Sequence, residues 1–89
     1  MCINQKVEIK DPFGLHLRAA VEFVTLIKKY KSKIWVQKDL ELVDARSILS
    51  LLQLAAAVGT KLDFILDGDD ASEAMGDIQK YFEHSVELA

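Results

Sequence analysis

His16 and Arg18 stand two residues apart, behind the turn residues Pro12 and Gly14 and ahead of an apolar helical pattern, in PFGLHLRAAVEF at 12–23. Backbone N–H groups at a helix entrance lack intrahelical partners and together attract anions, so phosphate is the first ligand to consider. An imidazole, with an ordinary pKa of about 6.5, is largely neutral near pH 7 and can act as a nucleophile. Attack on a phosphoryl donor would give a phosphohistidine able to pass the group onward. A guanidinium two residues on could offer fixed hydrogen bonds and positive charge to the phosphoryl oxygens. The same two residues also fit a plain helix entrance, with His16 as a cap or loop residue and Arg18 on the first-turn surface. Ser47 precedes a second helical pattern and reads as its N-cap. A helix-mouth serine is also a place for regulatory phosphorylation, and the two roles are compatible. His84 falls near the end of the last helix, where a protonated imidazole is ordinarily favourable, and needs no catalytic role.

The elements that must position these residues follow from periodicity. Residues 3–9 alternate Ile3, Val7 and Ile9 on one face, with Gln5 the polar exception, and predict a strand. Asp11, Pro12 and Gly14 mark a loop. From 17 to about 30, Leu17, Ala20, Val24 and Ile27 recur at helical spacing, and Phe23, Leu26 and Tyr30 widen the stripe. Lys28, Lys29 and Lys31 crowd the end of that pattern, where positive charge complements the helix dipole. KIWVQK at 33–38 and ELVDA at 41–45 predict a hairpin across Asp39 and Leu40, with Trp35 covering the sheet's outer face. The second helix carries Ile48, Leu51, Leu52 and Ala55 and is expected to stop at Gly59. KLDFILD at 61–67 is a fourth strand, with Ile65 out of pattern. Beyond Gly68, Asp70 and Glu73 form a capping-box pattern, and Ala74, Met75, Ile78, Tyr81 and Phe82 an inner stripe. Gly76 is expected to weaken that helix slightly or to permit close approach to the sheet. The order β-α-β-β-α-β-α predicts an α+β domain, a four-stranded antiparallel sheet with three helices on one face.

Composition narrows the classes. The 89 residues, 51% apolar and 28% charged, suit one compact domain over 1–89. Eleven Lys and Arg against 14 Asp and Glu leave a net charge of -3, which gives no general attraction to nucleic acid or an anionic membrane. Any phosphate site must therefore be local. Cys2 has no second cysteine to bridge, as expected in a reducing cytosol. No apolar run approaches membrane-spanning length and no signal-like leader is seen, so a cytoplasmic protein without direct membrane insertion is expected. His16, His84 and Cys2 are too scattered for a metal site. No second base is spaced to activate water, which argues against an independent hydrolase.

GLHLRAA at 14–20, DARSILSLLQLA at 44–55 and VGTKLDFILDGDDASEA at 58–74 together resemble HPr, the histidine-containing phosphocarrier of the bacterial phosphoenolpyruvate-dependent sugar phosphotransferase system (PTS). The likeness spans nearly the whole chain and agrees with its length and element order. It implies a carrier, not an enzyme in its own right, with no cofactor. His16 would take a phosphoryl group on Nδ1 from Enzyme I and deliver it to Enzyme IIA domains, with Arg18 contacting the phosphoryl group. Ser47 would be the target of an HPr kinase/phosphorylase, promoting binding to a catabolite-control transcription factor. The implied partner surface is the His16 loop with the short helix after Ser47. Helical spacing assigns Leu52 to the core and leaves Leu49 and Ser50 as partner contacts. A monomer is expected.

Two departures stand out. The family pattern is Gly-Leu-His-(Thr/Ala)-Arg-Pro-Ala, whereas this chain has Leu17 and Ala19. Without the proline the entrance turn should be less rigid, and Ala19 regains an N–H. Phe13 adds a bulky apolar group beside the histidine and could alter partner choice or phosphohistidine lifetime. Two alternatives stay open: a regulatory HPr-like interaction module controlled at Ser47, and a nitrogen-branch phosphocarrier.

Overall fold

A computed structural model describes residues 1–54 and 56–84, with His84 as backbone only. The elements are β1 (Cys2–Glu8), α1 (Leu17–Ile27), β2 (Lys33–Lys38), β3 (Glu41–Asp44), α2 (Ile48–Gln53), β4 (Lys61–Asp67) and α3 (Ala71–His84). The strands form one sheet in the order β1-β4-β2-β3, with every neighbouring pair antiparallel. This is the α+β architecture that the apolar periodicity predicts.

Register explains which residues go inside. Val7 lies opposite Leu62 and Ile3 opposite Leu66, while Val36 lies opposite both Phe64 and Val43. A strand exposes alternate residues on alternate faces, so these side chains share the face that the helices cover. There they join Phe23 and Ile27 of α1, Leu51 of α2, and Ala74, Ile78 and Phe82 of α3 in one core. Phe23, Phe64 and Phe82 pack as tilted rings with centroids 5.5–5.7 Å apart. Gln5, the polar exception in β1, donates to Gln79 Oε1 of α3 at 3.0 Å. Ile65 breaks its strand's pattern because it lies on the outer face, opposite Trp35 on one side and Asn4 on the other.

Several expectations change at the helix ends. α1 stops at Ile27 rather than near Tyr30, and none of the three lysines lies in its last turn. The Arg46 guanidinium supplies that positive charge, donating to the carbonyls of Ile27 (3.1 Å), Tyr30 (2.7 Å) and Ser32 (2.9 Å). Leu17 is exposed and Ala19 is buried in its stead, so the inner stripe of α1 begins with Ala19 and Ala20. α2 ends at Gln53, well before Gly59, and Ala55 lies outside the described residues. The capping box does not form as expected. The Asp70 carboxylate reaches across to the amides of Lys31 (2.8 Å) and Ser32 (3.0 Å) and to the Ser32 hydroxyl. Gly76 faces open space, so it serves no close approach to the sheet.

Candidate functional site

The loop between β1 and α1 is built around Asp11 and Gly14. Asp11 Oδ1 accepts from the Phe13 amide at 2.9 Å, and its carbonyl accepts from the Gly14 amide at 2.9 Å. Side-chain acceptance two residues on is the Asx turn that aspartate favours. Gly14 has φ +70°, and a Cβ there would stand 2.5 Å from the Ala56 carbonyl oxygen. Only glycine meets both conditions without displacing the neighbouring loop. Leu15 follows as a buried anchor, its amide donating to that same Ala56 oxygen at 2.8 Å.

This geometry delivers His16 to the N-cap of α1. Its backbone is extended, and its carbonyl accepts the first helical bond, from the Ala20 amide at 2.9 Å. Its side chain makes no capping hydrogen bond, so the imidazole is not consumed by the helix end. The N–H groups of the first turn have no intrahelical acceptors, and no acidic residue lies in that turn to compete for an anion. Ring Nε2 lies 3.4 Å from Asp11 Oδ2, with the histidine side chain 34% and the aspartate 19% exposed. The Phe13 ring meets the imidazole edge-on, with centroids 6.2 Å apart and planes at 88°.

Arg18 is 82% exposed and extends along α1 to Glu22, with Nε 3.5 Å from Oε2. Glu22 is in turn held by Tyr81 of α3, whose hydroxyl donates to Oε1 at 3.0 Å and lies 3.2 Å from the Ala19 carbonyl oxygen. Burial first, and then the Glu22 carboxylate, push the Tyr81 phenol well above its usual range. Arg18 therefore lies in the first turn of the helix that His16 caps, and its side chain pairs with Glu22 rather than with His16.

Ser47 is the N-cap of α2, its Oγ accepting from the Ser50 amide at 3.2 Å. α2 packs against α1, and Leu49 on it is largely exposed while Ser50 and Leu52 are half-buried. Phe13 beside the histidine and Leu17 and Val21 on α1 are also exposed, so apolar surface gathers at the entrance of α1. Asp11 is the residue that sequence reasoning took only for a loop marker. Its signal was the Asx-turn spacing to Phe13, which fixes where its second oxygen points.

The family model for the PTS HPr component phosphorylation site matches residues 3–84. The chain is 41% identical over 73 residues, 82% of either chain, to a phosphocarrier protein HPr of Neisseria meningitidis serogroup A. It is also similar to the crystal structure of HPr-C-His from Thermoanaerobacter tengcongensis, with a TM-score of 0.90, 34% identity and 96% of each chain covered. A third similarity, with a TM-score of 0.75 and 34% identity over 94% of this chain and 97% of the other, is to Crh, a catabolite repression protein of Bacillus subtilis crystallised as a swapped dimer. Among the described residues no helix is long and apolar enough to cross a membrane.

Proposed function

The chain belongs to the PTS HPr family of phosphocarriers, and from that premise we propose that His16 accepts a phosphoryl group from phospho-Enzyme I and passes it to Enzyme IIA domains. The Nδ1 lone pair attacks phosphorus, the bond to the donor breaks, and the reverse displacement on an acceptor regenerates His16. The observation that carries this reading is the placement of His16 at the N-cap of α1 with its ring uncommitted to capping. First-turn N–H groups stabilise the phosphoryl oxygens. Arg18 exchanges Glu22 for the phosphoryl group once that stronger dianion arrives. Phe13, Leu17 and Leu49 form the apolar part of the docking surface, with Ser50 at its margin. The protein acts as a single cytoplasmic domain, as a monomer.

Intact mass after incubation with phosphoenolpyruvate and the source organism's Enzyme I tests this directly. A single acid-labile, base-stable adduct on the wild type and none on His16→Ala is expected. No adduct with a demonstrably active Enzyme I would sink the carrier reading.

The similarity to Crh favours a second reading, an interaction module governed at Ser47. Phosphate there would sit at the start of α2, in the place the hydroxyl now caps. An adduct formed only with an HPr kinase and ATP, and lost in Ser47→Ala, would put that reading first. Service in a nitrogen branch would instead appear as transfer to that branch's acceptor domains alone.

A further inference from the structure

We propose that Asp11 is a positioning residue for His16, which selects the imidazole tautomer and offsets the charge the ring acquires on phosphorylation. This rests on the phosphocarrier reading for its consequence, though not for its geometry. Asp11 divides its carboxylate between two tasks. Oδ1 accepts from the Phe13 amide and fixes the turn, which leaves Oδ2 facing His16 Nε2 at 3.4 Å.

A carboxylate can only accept, so the contact is favourable when Nε2 carries the proton. A neutral imidazole with its proton on Nε2 bears its lone pair on Nδ1. The nucleophile is thus chosen by a residue that never touches the phosphoryl group. At 3.4 Å the contact is long for a neutral hydrogen bond, and the carboxylate's charge in a partly shielded position carries most of it.

The same contact acts after transfer. When Nδ1 forms its bond to phosphorus and the donor's bond breaks, no proton leaves the ring. Nε2 keeps its hydrogen and the imidazole becomes an imidazolium. Asp11 then faces a cation, and the attraction grows as the reaction proceeds. On delivery to an acceptor the nitrogen–phosphorus bond breaks, its electron pair returns to Nδ1, and the ring leaves neutral. Phe13 covers one edge of the imidazole, and Arg18 is engaged with Glu22, so neither supplies this function.

Asp11→Asn separates the two tasks. The amide oxygen can still accept from Phe13, while the amide nitrogen takes the place of Oδ2 and donates towards Nε2. The ring should respond by moving its proton to Nδ1, which blocks the nucleophile. Long-range proton–nitrogen spectra of labelled protein, recorded where the ring is neutral, report the tautomer. Single-turnover phosphorylation by phospho-Enzyme I reports the consequence.

The wild type is expected to show a protonated Nε2 and a bare Nδ1. Asp11→Asn, with its amide spectrum otherwise preserved, should show the reverse and a phosphorylation rate lower by roughly 10- to 100-fold. A wild-type ring protonated on Nδ1 overturns the proposal. So does an Asp11→Asn ring that keeps the wild-type tautomer whatever the rate does, or an inverted ring phosphorylated at the wild-type rate. Failure of the wild type itself to accept a phosphoryl group would count against the carrier reading, while the ring spectra would still decide the role of Asp11.

Discussion

At the scale of single residues, Gly14 is what brings His16 to its position. Its φ of +70° excludes most side chains, and the 2.5 Å approach of a Cβ to the Ala56 carbonyl oxygen excludes the rest. Backbone is the obstruction here, and backbone does not swing aside as a flexible side chain would. Gly14→Ala should therefore cost about 1–3 kcal/mol, the range for residues held in unfavourable backbone regions. It should also loosen the Leu15–Ala56 hydrogen bond on which His16 depends. Urea denaturation reads the first effect and protection of the Leu15 amide from exchange the second. An unchanged midpoint with full protection would show that the loop around residue 56 adapts at no cost. The turn and helix entrance that hold His16 and Arg18 were legible in the sequence from Pro12, Gly14 and the apolar rhythm that follows. The contact of Asp11 with His16 was not, because an aspartate in a turn is commonplace and nothing local says which oxygen the turn leaves over.

At the scale of elements, the junction of α1, β2 and α2 rests on Arg46. One guanidinium satisfies the carbonyls of Ile27, Tyr30 and Ser32, where α1 ends and the chain turns into β2. The Arg46 amide is itself fixed by Asp44 Oδ1 at 2.9 Å, so the residue before the α2 cap also closes α1. Arg46→Ala takes this donor from the Tyr30 and Ser32 carbonyls in a partly buried place, while Ile27 keeps the Tyr30 amide at 3.0 Å, with an expected loss of about 2 kcal/mol. Arg46→Lys should recover only part of it, because an ammonium cannot span three acceptors as a planar fork does. Thermal denaturation of both variants checks this, and equal stability of the two would remove the geometric argument. The strands were readable because alternation is a local signal that burial enforces. Helix ends were less so: the lysines after α1 looked like its dipole partners, yet the charge comes from a residue 19 positions beyond Ile27 in the chain. Leu17 shows the same limit. Hydrophobicity placed it in the core, but the loop sets the phase of α1 so that Ala19 turns inward and Leu17 faces solvent.

At the scale of the whole molecule, α3 is tied to the far end of α1 and the following loop by two acidic side chains. Asp70 holds Lys31 and Ser32, and Asp77 accepts the Tyr30 hydroxyl and pairs with Lys29 Nζ at 3.4 Å. The Ser32 hydroxyl above all keeps Asp70 below the ordinary 3.8, and the Tyr30 hydroxyl does the same for Asp77. A carboxyl with a depressed pKa stabilises the fold above its ordinary value, and that contribution fades as pH falls through the lowered one. The hydrogen bond to Asp77 also raises Tyr30 from 10.0 to about 12. That part of the stability is complete below pH 10 and lost as pH climbs towards 12, with the half-buried Tyr81 adding to the same alkaline limb. Tyr30 and Asp77 share one bond, so Tyr30→Phe should diminish both limbs at once and leave the Asp70 clasp on Ser32 intact. In urea midpoints measured across pH, the gap between wild type and Tyr30→Phe should be widest between about pH 5 and 9 and narrow on either side. A gap of constant width would mean that Tyr30 holds α3 by packing alone, with its hydroxyl and the Asp77 carboxylate contributing nothing that titrates.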